Sequence, residues 1–154
     1  MTTAISRSIE RILAPTDLGA PSQVAVLYAA RLARDLAASI TIVHVLTPPN
    51  QMVGIVPGAS VDEELDTARA NATDLMAALE ADVRALGLAR IVTHVDAAAS
   101  TTARAILVRA ALDQSDLIVM ATRGRSGLPR AVFGSVADAI VRTASCPVLT
   151  LRPD

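Results

Sequence analysis

Five short apolar runs recur along the chain, each separated from the next by a longer segment of helical periodicity. This alternation restricts the fold more than any other feature. The runs are Ile12-Leu13-Ala14, Ile40-Thr41-Ile42-Val43-His44-Val45-Leu46, Ile91-Val92-Thr93-His94-Val95, Leu117-Ile118-Val119-Met120 and Cys146-Pro147-Val148-Leu149-Thr150-Leu151. Their lengths, and the β-branched residues of the longer ones, suit buried strands. Between the first two, Gly19, Pro21 and Ser22 mark a turn and a helix start, and Ala25, Tyr28, Ala29, Leu32 and Leu36 follow at helical spacing. Ser60-Val61-Asp62-Glu63 is a capping-box pattern. The helix it opens carries Leu65, Ala68, Ala72, Leu75, Leu79, Val83 and Leu86 on one face and stops at Gly87. Ser100 or Thr101 caps a third helix containing Ile106, Leu107, Ala110 and Leu112, and a fourth runs from Val136 to Val141. Strand and helix in strict alternation predict an α/β fold: one five-stranded parallel sheet with right-handed crossovers and helices on both faces. A length of 154 residues suits one domain spanning residues 1–154.

Composition narrows the function. All 14 basic residues are Arg, and with no Lys the chain cannot form a Walker-type phosphate loop or a lysine Schiff base. Tyr28 and Phe133 are the only aromatics, too few to stack single-stranded bases, and a net charge of -1 gives no general attraction to nucleic acid or anionic membrane. The lone Cys146 excludes an internal disulfide. Polar residues interrupt every apolar piece of the N-terminus and no run reaches membrane-spanning length, so a cytoplasmic protein is expected.

The chemistry concentrates where the fourth run breaks into Ala121-Thr122-Arg123-Gly124-Arg125-Ser126-Gly127, and Phe133-Gly134-Ser135-Val136 then opens the last helix. Strand, glycine loop and helix N-terminus make an anion-binding arrangement: glycine lets backbone N–H groups approach a phosphate, and the helix dipole favours negative charge there. Ser135 either caps the helix or offers its hydroxyl to the same phosphate. Arg123, Arg125 and Arg130 contact phosphates or lie solvated at the loop tip. Parallel sheets bind ligands beyond the carboxyl ends of their strands, where the winding reverses. If the first and fourth strands flank that point, Asp17 and the loop at 121–127 share one crevice. Asp17 either reaches a ligand there or caps the first helix. His44 and His94 read as packed strand residues, since neither has a Cys or carboxylate at metal-ligand spacing. The loop from Thr47 to Gly58, with Met52, Val53, Ile55 and Val56 as an apolar patch, folds over a site or touches a partner. No nucleophile–base arrangement is visible, so catalysis is not expected.

Several of these stretches resemble the universal stress protein family: Ile12-Leu13-Ala14-Pro15-Thr16-Asp17, Ile42-Val43-His44-Val45, Asp116 to Met120 with the glycine loop, Gly134-Ser135-Val136-Ala137, and Cys146-Pro147-Val148-Leu149. The resemblance covers essentially the whole chain and implies a Rossmann-like, adenine nucleotide alpha hydrolase-like fold. Nucleotide-binding members carry a glycine, two residues, a second glycine, nine residues, then glycine and Ser or Thr. Gly124, Gly134 and Ser135 match, and Ala121 replaces the first glycine.

Carried over, the pattern implies ATP as ligand, with Mg²⁺ on phosphates that no lysine neutralises. Asp17 would stand near the adenine or ribose, with Pro15 and Thr16 beside it among the cofactor-binding residues, Val45 on the adenine, and Met120 and Ala121 on the ribose side. Gly124, Gly134, Ser135 and Val136 would hold the phosphates, with Arg123, Arg125, Gly127 and Ala137 as further cofactor-binding residues. The family further implies a homodimer, for which the last strand, Val148–Leu151, is a natural edge, and a stress-response regulator that acts by occupancy. Two alternatives stay open. One is a dimeric interaction protein of the same family that binds no nucleotide, and the other is a slow ATP hydrolase.

Overall fold

A computed structural model describes residues 8–47, 60–122 and 133–153. The elements follow one another as β1 (Arg11–Pro15), α1 (Ala20–Asp35), β2 (Ser39–Leu46), α2 (Val61–Ala85), β3 (Ile91–Ala97), α3 (Thr102–Leu112), β4 (Leu117–Ala121), α4 (Ser135–Thr143) and β5 (Val148–Leu151). The strands form one sheet in the order β3-β2-β1-β4-β5, with every neighbouring pair parallel. The chain first winds outward from β1 to β3, then returns to β1 and winds the other way, so the direction reverses between β1 and β4.

Side chains alternate across each strand and divide the core between the two faces. Ile12, Ala14, Ile40, Ile42, Leu117 and Val119 pack with buried residues of α1 and α2. Leu13, Val43, Val45, Ile118 and Met120 pack with those of α3 and α4. The sheet therefore carries two helices on each face. Each fully buried Ile or Leu contributes about 1.5–3 kcal/mol to this arrangement.

The helices sit slightly rotated from the faces expected of them. In α1 the buried stripe is Ser22, Ala25, Val26, Ala29, Ala30 and Ala33. These small residues let the backbone approach the sheet, and the bulky Tyr28 and Leu36 are exposed beside them. In α2 the buried face is Ala72, Met76, Leu79 and Val83. Leu75, one position from Met76, is 52% exposed. Leu112 in the last turn of α3 is 68% exposed. Hydrophobicity at roughly the right spacing finds a helix more reliably than it finds its inner face.

Helix ends follow local chemistry. Ser60 and Glu63 close a reciprocal capping box on α2, and Thr101 Oγ1 accepts the Arg104 N–H at the start of α3. Past the C-termini of α1, α2 and α3, Ala37 (φ 55°), Gly87 (φ 85°) and Gln114 (φ 51°) take left-handed conformations. The N–H of Ala38 returns to Ala33 O at 2.8 Å and that of Ser115 to Ala110 O at 2.9 Å, closing the turns.

One sequence detail opens the sheet. The N–H of Thr16 donates to Val43 O of β2, so by strand alternation the nitrogen of Pro15 faces β4. Proline carries no hydrogen there and cannot extend the ladder. Pairing between β1 and β4 is confined to Ile12 with Leu117 and Leu13 with Ile118, whereas β1 and β2 stay paired from Arg11 through Pro15. Beyond Leu13 the two central strands part at the carboxyl edge of the sheet.

Candidate functional site

The parting of β1 and β4 forms the floor of a crevice of about 460 Å³. Pro15, Thr16 and Asp17 from the end of β1 face Met120, Ala121 and Thr122 from the end of β4. Val43 through Leu46 of β2, with Thr47 just beyond it, form one wall, and Gly134, Ser135, Val136 and Ala137 at the start of α4 close the other side. Ala68 of α2 and Thr102 and Ile106 of α3 complete the rim. The crevice therefore brings together Pro15, Thr16, Asp17, Val45, Met120, Ala121, Gly134, Ser135, Val136 and Ala137. Arg123, Gly124, Arg125 and Gly127, with Arg130 and the apolar patch at 52–56, lie outside the described residues.

A directed hydrogen-bond network holds the β1 end of the crevice. Ser22 Oγ lies 2.7 Å from Asp17 Oδ1, 3.0 Å from Gly19 O and 2.8 Å from Thr16 Oγ1. Carboxylate and carbonyl oxygens only accept, so the single Ser22 proton goes to them and the Thr16 hydroxyl donates to Ser22. Thr16 Oγ1 in turn accepts the Leu18 N–H at 2.9 Å, and Asp17 Oδ1 accepts the Gly19 N–H at 2.9 Å. Leu18 is left-handed, with φ 64°, a conformation unfavourable for a branched side chain. Its N–H bond to Thr16 and the bond from Gln23 Nε2 to its carbonyl (2.9 Å) keep it there. The turn expected at Gly19 and Pro21 pivots instead on Leu18, while Gly19, with φ −80°, is the N-cap of α1. Asp17 thus braces the start of α1 through the Gly19 N–H and Ser22, and it also borders the crevice.

Three residues missed in the sequence belong to the site. Ser22, expected only as part of a helix start, fixes the Asp17 carboxylate. His44, expected as a packed strand residue, borders the crevice and is half-buried. Its Nδ1 lies 2.9 Å from Thr16 O, and because that carbonyl only accepts, Nδ1 carries the proton. Thr122 sits immediately beyond Ala121. The available signal was position: Ser22 lies in the first turn of α1, His44 two residues before the end of β2 and Thr122 just beyond β4, all near the carboxyl edge of the sheet.

At α4 the N-cap is Gly134, with φ −61° and ψ 152°, and no side chain caps the helix. Ser135 is therefore the first helical residue and does not cap. The first bond along the helix runs from Asp138 N–H to Gly134 O at 2.9 Å. The N–H groups of Ser135, Val136 and Ala137 have no carbonyl one turn back to accept them. These donors, with the positive end of the helix dipole, border the crevice. The N-terminal turn of α3 reaches the same rim through Thr102. Asp17 is the only fixed charge among the described lining residues, so an anion bound there would be met by backbone dipoles. Among the described residues no group of His, Cys, Asp and Glu is disposed to hold a metal ion.

A smaller hollow of about 280 Å³ lies between β3 and the outer side of α3. Its central guanidinium is already engaged: Arg109 grips both Asp96 oxygens at 2.9 Å and reaches Asp113 at 3.6 Å. That hydrogen-bonded pairing with Asp96 raises the Arg109 pKa further against the opposing effect of burial. This hollow is a structural ion-pair site, and the crevice is the candidate site of the fold.

A parallel, doubly wound sheet with its crevice at the reversal point places the protein among the Rossmann-like α/β proteins. Comparison of the sequence with known families narrows this: the universal stress protein family matches residues 8–152, and the chain belongs to it. A universal stress protein of Methanocaldococcus jannaschii is 26% identical over 143 residues, covering 93% of this chain and 82% of the relative. UspA from Lactobacillus plantarum matches with a TM-score of 0.81 at 24% identity, over 95% of this chain and 99% of that one. The universal stress protein from Archaeoglobus fulgidus in complex with dAMP matches with a TM-score of 0.65 at 21% identity, over 94% of this chain and 98% of that one. Likeness at this identity establishes the shared fold. Among the described residues, no helix is long and apolar enough to cross a membrane.

Proposed function

We propose that this protein binds an adenine nucleotide, ATP with Mg²⁺ carried on its phosphates, in the crevice between β1 and β4. It acts as a cytoplasmic stress-response regulator through occupancy of that site, without turnover. The observation that carries the reading is the opposition, across one crevice, of a fixed carboxylate at Asp17 and the free amide donors at the start of α4. A carboxylate suits the hydroxyls of a ribose or the amino group of an adenine, and the helix N-terminus suits phosphate. The dAMP bound by the Archaeoglobus fulgidus relative supports the adenine nucleotide class. Occupancy without turnover rests on the hydrogen-bonding of Asp17 Oδ1 and His44 Nδ1 within the fold, which supports binding more readily than proton transfer.

The reading includes a homodimer formed along β5. Ile118 and Thr122 donate to Pro147 O and Leu151 O, so by alternation Val148 and Thr150 direct their backbone groups away from β4. At the opposite edge Arg69 Nη1 caps the Val95 carbonyl of β3 at 3.0 Å, which favours β5 as the edge for a second copy.

A second reading has one observation in its favour. Ala121 puts a methyl group on the crevice wall where the nucleotide-binding pattern has glycine, as suits a member that binds partners without nucleotide. Extraction separates the two. Protein purified without added nucleotide is denatured, and the supernatant is resolved by ion exchange. ATP near one per chain supports the first reading. An empty protein that takes up no ATP when supplied with Mg²⁺ leaves the second. Phosphate release over hours by a nucleotide-loaded sample would contradict occupancy without turnover.

A further inference from the structure

Gln23 stands near the start of α1 and does not border the crevice, yet its side chain is tied to the turn that carries Asp17. Its Nε2 donates to Leu18 O at 2.9 Å. The peptide unit joining Leu18 to Gly19 is one rigid plane. At one end of that plane the carbonyl accepts from Gln23, and at the other the Gly19 N–H donates to Asp17 Oδ1 at 2.9 Å. A turn of the plane would therefore break both bonds together. Leu18 gives the plane a reason to turn. Its φ of 64° is unfavourable for a branched side chain, and such a conformation persists only where its surroundings impose it. Thr16 Oγ1 holds the Leu18 N–H on one side of the residue, and Gln23 holds the carbonyl on the other.

We propose that Gln23 is a positioning residue for ligand binding, aiming the Asp17 carboxylate through the Leu18–Gly19 peptide. The inference rests on the nucleotide-binding reading above, in which that carboxylate meets the ligand, and adds a residue outside the crevice. Released from Gln23, Leu18 relaxes toward negative φ and the Gly19 N–H turns away from Asp17. The carboxylate loses one of the donors that orient it. A ligand then meets a mixture of orientations, and its affinity falls with the fraction that is correctly aimed.

Gln23→Met keeps the length of the side chain and removes the donor without adding charge. Calorimetric titration of nucleotide-stripped protein with ATP and Mg²⁺ should find binding weakened about threefold to tenfold, as for one lost hydrogen bond. A residue that merely stabilised α1 would affect binding alike with and without the Asp17 carboxylate. Acting through Asp17, Gln23→Met should change affinity by less than about twofold when added to Asp17→Ala, while lowering the melting temperature in both backgrounds. Leu18→Asn provides a second cycle, because asparagine tolerates the left-handed region. There too, adding Gln23→Met should weaken binding by less than about twofold. Where Asp17→Ala binds too weakly to titrate, this second cycle decides. Unchanged ATP affinity in Gln23→Met, or the full loss retained in either double variant, would overturn the inference and leave the nucleotide reading standing. A wild type that binds no ATP removes both.

Discussion

Ser22 Oγ donates to Asp17 Oδ1 at 2.7 Å, joining the first turn of α1 to the carboxylate at the mouth of the crevice. The bond completes a relay in which Thr16 donates to Ser22 and Ser22 to Asp17. It turns the β1–α1 junction into a rigid border, although Leu18 within it is left-handed. Ser22→Ala removes the middle of the relay and leaves the Thr16 hydroxyl without its acceptor. We expect a stability loss of about 1–3 kcal/mol by denaturant titration, with weaker ATP binding because the carboxylate is no longer fixed. Asp17→Ala should abolish the contact directly and weaken binding more than Ser22→Ala does. Binding indifferent to both substitutions would detach Asp17 from the ligand.

Ala121→Gly tests the methyl on the crevice wall. Ala121 is buried at the end of β4, so the substitution loses a buried methyl and adds backbone entropy, at about 1–2 kcal/mol of stability. If the methyl only crowds the ligand, ATP binding tightens while stability falls. Equal affinity in the two proteins would mean that the departure from glycine is neutral.

The reach of the sequence is clearest at three positions. Pro15 was legible as a strand end, but its missing N–H matters only once its nitrogen is known to face β4, and that requires the strand order. Asp17 and Ala121 were assigned to one crevice because doubly wound sheets bind at the reversal point, and β1 and β4 do flank it. Ser22 was legible only as a helix start, because its partners Thr16 and Asp17 meet it through a left-handed Leu18 that periodicity does not signal. The same limit misplaced the inner faces of α1 and α2. Spacing alone ranks Leu75 with Leu79, but the sheet receives Met76.

Ala37 offers a stability test remote from the site. It is exposed and left-handed (φ 55°) beyond α1, where glycine carries no Cβ penalty. Ala37→Gly should stabilise by about 0.5–1 kcal/mol, the Cβ strain relieved less the added chain entropy, raising the melting temperature by roughly 2–4 °C per kcal/mol. Leu18→Gly relieves the same kind of strain but removes a side chain packed on the core, and should destabilise. Should both variants move the same way, backbone strain would not be what distinguishes these turns.

Thr150→Pro probes the dimer edge. The Thr150 nitrogen faces away from β4, so proline there leaves the sheet's own bonds intact while removing a donor to a second copy. If the proposed dimer forms along β5, sedimentation should find a dimer for wild type and a folded monomer for Thr150→Pro. A dimer that survives the substitution does not pair along β5.

Occupancy of the crevice by an adenine nucleotide is the centre of this account, and calorimetric titration of nucleotide-stripped protein with ATP and Mg²⁺ measures it. The account predicts saturable binding at one ATP per chain, weakened in Asp17→Ala and retained in Thr150→Pro. Absence of binding up to roughly 1 mM ATP, where even about −4 kcal/mol of affinity would register, would contradict it.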